Sequence, residues 1–417
     1  MNNHSRLKGL VSKKAILLFL KKFGLSLLIF SPIPIFFGIM FFYQISFPDE
    51  KNPFVQFSGR DPRTEAMITW ETKEKETSTV WYGTNKDNLN YIKTNNNQIN
   101  IHRITLIGLK PNTKYYYRVG IDGLSPIYRS SVFSFNTAPS SKDVNFEFIA
   151  YSDTQQIVGI GWNALICKRI AEHKDLSFVT DVGDICQNWD YKPDWNQFFQ
   201  EASIYTEKYP FVPCIGNHDG YYPEEDPENN KHYYKSYFGA TVDQDKFYYS
   251  FNWANTLFII AEISKTSDED ISIERNIQHD LWLNRTLAKG QDKDFRILMF
   301  HRQVFSSEEN NDKLIARIVP IVEKYNVSLV LYGHDHHYER FLYNGRIYLC
   351  LGGGGGQQYG SNFFKTTQYT KNFAMGPSYT KISIKSAQIN ILTFSAENDL
   401  IDNCSLNLRA NKALLKE

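Results

Sequence analysis

Cysteine is scarce in this chain: five residues among 417, at positions 167, 186, 214, 350 and 404. An odd number excludes a framework in which every thiol pairs within the chain, so outside a cell at least one is free or bridges to another chain. Cys186 and Cys214 flank polar motifs and could approach one another as a disulfide; the other reading is burial as small apolar side chains. A dominant charge is also missing. Lys plus Arg number 46 against 45 Asp plus Glu, and no Lys/Arg run able to form a basic face follows the first few dozen residues. This argues against an electrostatic nucleic-acid binder.

Long apolar runs are absent except for Phe23 to Tyr43, which is uncharged and interrupted by Ser26, Ser31, Pro32 and Pro34. It is long enough to cross a bilayer as a kinked helix. No small-residue cleavage site follows it, which disfavours a cleaved signal peptide. Arg6, Lys8, Lys13, Lys14, Lys21 and Lys22 precede the run, and Asp49 and Glu50 follow it. The positive-inside rule then predicts a basic cytoplasmic tail over 1–22, a membrane anchor over 23–43, and an extracytoplasmic location for everything beyond.

From about residue 50 to 139 the pattern changes to short alternating strands: Met67–Trp70, Ser78–Tyr82, His102–Leu106, Lys114–Val119 and Ser131–Phe135, separated by Asn, Gly, Asp and Pro turns. This predicts a β-sandwich. Ile107 to Arg118 resembles the E–F corner of fibronectin type III modules, and Ala138 to Lys142 reads as a linker. The module is read either as a spacer that shapes a site entrance or as a plain stalk.

Residues 144–408 carry the chemistry. Five polar motifs each follow an apolar strand-like run: Asp153-Thr154-Gln155, Gly183-Asp184, Gly216-Asn217-His218-Asp219, His301, and Gly333-His334-Asp335-His336-His337. Any one of them alone reads as a turn, a strand end or a loop. Five in order are the grammar of a sheet that delivers Asp, Asn and His side chains to its carboxyl edge. Those residue types suit a pair of divalent cations, Zn, Fe, Mn or Co, about 3.5–4 Å apart, which lower the pKa of a shared water and clamp the oxygens of a phosphoryl centre. Helical periodicity at Trp162–His173, Trp195–Glu207, Glu274–Leu287 and Lys313–Tyr325 completes a strand, motif, helix repeat, and Gly220 to Lys235 reads as a loop near the cleft.

These residues resemble the calcineurin-like metallophosphoesterases, and within them the purple acid phosphatase branch. Leu298-Met-Phe-His-Arg-Gln-Val-Phe-Ser-Ser307 and Tyr332-Gly-His-Asp-His-His-Tyr-Glu-Arg340 look like that branch's fourth and fifth motifs, and Gly352 to Gly356 falls where the family has its closing glycine-rich loop. The resemblance implies a four-layer αββα catalytic domain behind the β-sandwich. It implies that Asp184 bridges two metals, with Asn217, His301 and His334 on one and Asp153 and His336 on the other. It further implies that a metal-bridging hydroxide attacks the ester, that His218 protonates the leaving oxygen, and that Arg302 is a candidate substrate ligand.

The chain departs from the branch at two places. Gln187 stands where purple acid phosphatases have the iron-binding tyrosine, and Gln155 stands where other metallophosphoesterases have a histidine. Gln155, Gln187 and His337 therefore remain candidate ligands or neighbours of the first metal, and no purple tyrosinate colour is expected. The leading expectation is a membrane-anchored phosphomonoesterase acting on a phosphate ester outside the cytoplasm. The alternatives are a phosphodiesterase acting on nucleotides or phospholipid head groups, and a non-catalytic surface module with a decayed site. The sequons at Asn284, Asn326 and Asn403 are short enough to arise by chance. His4, His102, His173, His232 and His279 lack motif company and are expected to be structural or exposed.

Overall fold

The computed structural model describes residues 50–57, 61–121, 129–156, 162–220, 232–239, 247–263, 273–308, 310–358 and 366–408. The expected tail and anchor over 1–43 lie outside these residues. Among the described residues no helix is long and apolar enough to cross a membrane.

The N-terminal module consists of β1 (Lys51–Gln56), β2 (Glu65–Gly83), β3 (Tyr91–Ile107), β4 (Lys114–Gly120) and β5 (Phe133–Asn136). Met67–Trp70 and Ser78–Tyr82, expected as separate strands, lie on the single 19-residue β2. No Gly, Pro or Asn stands between them, and Lys73, Glu74 and Lys75 run exposed along the strand instead of turning it. The pairing with β3 absorbs the irregularity as register shifts between Glu71 and Ser78. One half of β2 pairs with β1 and the other with β4. Side chains of both halves, among them Ile68, Val80, Ile104 and Tyr117, share one core.

The residues beyond the linker hold two sheets. The first contains β6 (Phe146–Tyr151), β7 (Phe178–Asp181) and β8 (Phe211–Pro213) in parallel, continued through antiparallel β16 (Ser378–Lys385), β17 (Gln388–Ser395) and β18 (Leu400–Asn407). The second is made of β9 (Tyr249–Trp253), β10 (Thr256–Ile260), β11 (Phe295–Met299), β12 (Leu329–Tyr332), β13 (Tyr338–Tyr343), β14 (Arg346–Leu351) and β15 (Thr370–Ala374). Within it β10, β11, β12 and β14 run parallel. The helices are α1 (Trp162–Glu172), α2 (Lys192–Thr206), α3 (His232–Phe238), α4 (Ile273–Lys289) and α5 (Asp312–Lys324). Residues 232–235, expected within a loop, open α3 instead. Tyr234, Tyr237 and Phe238 bury one side of it beside Trp195, and that apolar spacing is what the acids ahead of it obscured.

Side chains alternate along a strand, so each sheet feeds two cores. Phe146, Phe148 and Ala150 of β6 join Phe258 and Ile260 of β10 and Ile297 and Met299 of β11, with the Phe148 and Phe258 rings 5.2 Å apart. Ile149 and Tyr151 face the other way, onto Ile166 and Ile170 of α1 and Trp195 and Phe198 of α2. Leu257, Ile259 and Leu298 similarly meet Leu283 and Leu287 of α4 and Leu314 and Ile318 of α5.

The β module is fastened to this body by a buried polar network. Lys51 pairs with Glu71, and its ammonium also donates to Asn196 Oδ1 of α2 at 2.6 Å. Glu71 further receives Lys192 at 2.9 Å and the Tyr237 hydroxyl at 2.8 Å. All five cysteines are buried free thiols, so the disulfide between Cys186 and Cys214 is not formed.

Candidate metal centre

Each candidate ligand sits just past a strand. Asp153 follows β6, Asp184 follows β7, Asn217 follows β8, His301 follows β11 and His334 follows β12. Three backbone hydrogen bonds stitch these ends together: Asp153 N–H to Gly183 O, Gln155 N–H to Asp184 O and Gly333 N–H to His301 O, each at 3.0 Å. Asp153, Asp184 and His334 all adopt positive φ, at 62°, 56° and 75°. Such backbone costs on the order of 1–3 kcal/mol per residue and persists where the surroundings over-determine it, which is common at functional sites.

The side chains converge as the motifs imply. Asp184 Oδ2 lies 3.0 Å from His301 Nε2, and the ligand atoms of Asp184, His301 and His334 fall within 4.8 Å of one another. The His218 N–H donates to Asp184 Oδ1 at 2.7 Å, which carries Asn217 in alongside. On the other flank His336 Nε2 lies 3.5 Å from Asp153 Oδ1. The His334 N–H bridges to the Asp153 carboxylate at 3.1 and 2.9 Å. His336 Nδ1–H donates to the carbonyl of Gln357 at 2.6 Å and His301 Nδ1–H to that of Val182 at 3.2 Å. These bonds hold Nε2 of each ring as the ligating atom.

Electrostatics follow from the crowding. Burial alone would raise the Asp184 pKa, yet the His301 imidazolium beside it holds the carboxyl well below the usual carboxylate range. Burial works against a charge on His301, but Asp184 and Asp153 push its pKa up to about 9. Asp153 is raised by burial, with His301 and His336 pulling the other way and Asp184 adding to the rise. His334 is held neutral by burial and by the charges of His301 and Arg302.

The donor set fits a metal pair. Asn217 Oδ1, His334 Nδ1 and Gln155 Oε1 are buried polar atoms without a hydrogen-bond partner among the protein atoms, a costly state that a cation relieves. Gln155 lies inside the site, its Nε2 donating to Asp184 Oδ2 at 3.3 Å and standing 3.1 Å from His336 Nε2. Gln187 is placed elsewhere: its carbonyl accepts from His218 Nδ1 at 2.8 Å and its amide nitrogen lies 3.5 Å from the same ring atom. Arg302 donates to His334 Nε2, which brings the guanidinium to the site. His337 is fully buried and is drawn to Asp335, Cys350 and Glu339.

The role of Asp219 and the contacts of the glycine-rich loop were not read from the sequence. Asp219, quoted in the third motif without a role, accepts from Ile185 N–H at 2.7 Å, Cys186 N–H at 3.1 Å and Gly216 N–H at 2.8 Å. It thereby clamps the third motif onto the second, and burial together with the nearby Asp184 pushes its pKa up to about 7. The glycine-rich loop lies against the first motif, with Gly354 N–H on Ser152 O at 2.7 Å and Gly356 N–H on Asp153 O at 2.8 Å. A Cβ on Gly356 would stand 2.9 Å from the His336 ring, so only glycine allows the loop this close.

Comparison with known proteins agrees with the geometry. The model of the purple acid phosphatase N-terminal domain matches residues 52–137, and that of the calcineurin-like phosphoesterases matches residues 147–338. The chain belongs to the calcineurin-like phosphoesterases, in the purple acid phosphatase-like branch. The N-terminal module is thus of the purple acid phosphatase kind, and its likeness to fibronectin type III modules stays one of strand pattern. Purple acid phosphatase 21 of Arabidopsis thaliana is 27% identical over 279 residues, covering 62% of this chain and 59% of that relative. The chain therefore spans about three fifths of that relative's length. Among solved structures, a purple acid phosphatase from yellow lupin (Lupinus luteus) seeds superposes with a TM-score of 0.68 at 16% identity, covering 85% of this chain and 74% of that one. PhoD superposes with a TM-score of 0.64 at 14% identity, covering 87% and 91%. These two likenesses show the fold.

Proposed function

We propose that this calcineurin-like phosphoesterase is a metal-dependent phosphomonoesterase of the acid phosphatase kind, anchored by residues 23–43 with its catalytic domain outside the cytoplasm. The observation that carries the reading is the position of Asp184, a buried carboxylate in ligand range of His301 and His334 on one side and, on the other, in contact with Gln155, which also reaches His336. Asp184, Asn217, His301 and His334 would hold one ion, and Asp153, Asp184 and His336 the other, with the Gln155 amide oxygen as a further donor. A pair of divalent cations supplies Lewis-acid charge and a water acidified toward neutral pH. The residues of the chain do the rest. Asp184 offsets the charge of both ions, Arg302 neutralises a phosphoryl oxygen, and His218 gives a proton to the departing oxygen. With its Nδ1–H held on the Gln187 carbonyl, His218 exchanges that proton through Nε2. The partition of side chains between three cores supports a four-layer αββα stack around the site.

Membrane anchoring rests on the apolar run and its flanking charges, and protease access to the catalytic domain on intact cells tests it. The hydrolase reading is tested on the metal-reconstituted full-length chain with a mono- and a bis-aryl phosphate. Turnover of the monoester supports it, preference for the diester replaces it with a phosphodiesterase, and no turnover with either leaves the non-catalytic module that the glutamines at 155 and 187 favour.

A further inference from the structure

The loop that carries His334 and His336 to the candidate dinuclear site sends its intervening side chains the other way. Asp335 and His337 meet Cys350 of β14 there, and the ligand atoms of the three lie within 4.8 Å of one another, all buried. We propose that Asp335, His337 and Cys350 form a further, separate metal site that takes one zinc-like divalent ion beneath the dinuclear centre.

Three independent observations point to a cation. The first is Asp335 Oδ2, a buried carboxylate oxygen with no hydrogen-bond partner, on a residue only 3% exposed. The second is the support behind His337. Its Nε2 lies 3.2 Å from Glu339 Oε2, and Glu339 is fixed as an acceptor by Ser307 N–H at 3.0 Å, by the Ser307 hydroxyl at 2.5 Å and by the Thr370 hydroxyl at 2.7 Å. A carboxylate behind one imidazole nitrogen selects the tautomer whose other nitrogen carries the lone pair, the arrangement that orients metal-bound histidines. The third is charge. One carboxylate, one thiolate and one neutral imidazole sum to two negative charges, which a divalent ion cancels, so the filled site is neutral where a charge would be costly to bury. Sulfur, nitrogen and oxygen at distances of about 2.0–2.3 Å are a zinc set, and none of the dinuclear ligands is a thiol.

Without the ion, Cys350 is a thiol that donates to the carbonyls of Asp335 at 3.3 Å and of Gly333 and His337 at 3.6 Å. Binding replaces the S–H bond with a metal–sulfur bond and passes the proton to solvent. Because Asp335 lies between His334 and His336, the ion would fix the backbone that positions both.

The test is cobalt substitution of the full-length chain, with zinc counted before and after. A thiolate-to-cobalt charge-transfer band in the near ultraviolet is expected, together with loss of the band and of about one zinc equivalent in Cys350→Ser. Asp335→Asn, which removes charge while keeping shape, should weaken the band and provides the second variant if the serine variant does not fold. Absence of the band from the wild-type chain, its persistence in Cys350→Ser, or a band of undiminished intensity in Asp335→Asn overturns the proposal whatever the dinuclear site does.

Discussion

Gly216 packs against the residue on which the site turns. A Cβ built on Gly216 would stand 2.1 Å from both the backbone nitrogen and Oδ1 of Asp184, whereas real Cβ contacts are essentially never under 3.0 Å. Gly216→Ala must therefore open that gap by at least about 0.9 Å, and the nearest atoms belong to the backbone of the second motif and to the carboxylate proposed to bridge the ions, neither of which can swing aside. Metal–ligand distances hold to about ±0.2 Å, so a displacement of this size takes Asp184 out of range of one ion. A misplacement of about 1 Å costs on the order of 10²-fold in rate, or about 2.7 kcal/mol of barrier. Overpacking costs roughly 1–3 kcal/mol of stability. Gly345 is the control. Its φ of 73° disfavours alanine, yet nothing lies within 4 Å of its Cβ position, so Gly345→Ala should lose about 1–2 kcal/mol of stability while turnover stays at the wild-type value. Metal content, initial rates on an aryl phosphate and the thermal midpoint of the three proteins are the assay. Wild-type rate and metal content in Gly216→Ala would refute the steric argument.

Three further outcomes are expected. Gln155→His replaces a neutral amide in contact with Asp184 and His336 by a stronger donor, so metal retention under mild chelation should rise; equal loss of metal from both proteins would show that Gln155 does not ligate. His218→Ala should slow alkyl phosphates more than activated aryl phosphates by roughly 10²–10⁴-fold, because only a basic leaving oxygen needs the proton; equal losses on the two esters would assign His218 to positioning. His102 stacks on Trp70 at 4.7 Å, with Ser78 and Thr72 hydroxyls at 2.8 and 2.7 Å from its ring nitrogens, and burial lowers its pKa to about 4 from 6.5. The unfolded chain then takes up this proton first, so the stability is whole above pH 6.5 and falls between there and pH 4 by up to roughly 3 kcal/mol. Urea unfolding of wild type and His102→Gln at pH 7.5 and 4.5 measures it, and an equal decline in both proteins would show that His102 stays neutral in neither state.

The candidate site was legible because the chemistry of a metal pair asks for particular residue types at particular places. Asp153, Asp184, Asn217, His301 and His334 each follow an apolar strand, and the structure brings these ends together, three from one sheet and two from the other, with His336 on the same loop as His334. The nature of β2 was not legible. Lys73, Glu74 and Lys75 look like a turn in sequence, and only pairing with β3 shows a strand wet on both faces. Asp219 escaped assignment because its three donors are backbone amides, two of them in the distant second-motif loop, which no side-chain pattern announces. Gln155 and Gln187 looked equivalent as departures from the family, yet one reaches Asp184 and His336 and the other holds His218. His337 was a candidate for completing the first site; alternation along the fifth motif points it instead at Cys350 and Glu339.

The measurement that tests the central claim most directly is hydrolysis of an aryl phosphate monoester by the metal-stripped full-length chain, before and after addition of Mn, Zn, Fe or Co, beside Asp184→Ala. The account predicts no turnover by the stripped chain, recovery with at least one of these metals, and a loss of orders of magnitude in a folded Asp184→Ala chain. Turnover that survives stripping, or that matches wild type in Asp184→Ala, would contradict it.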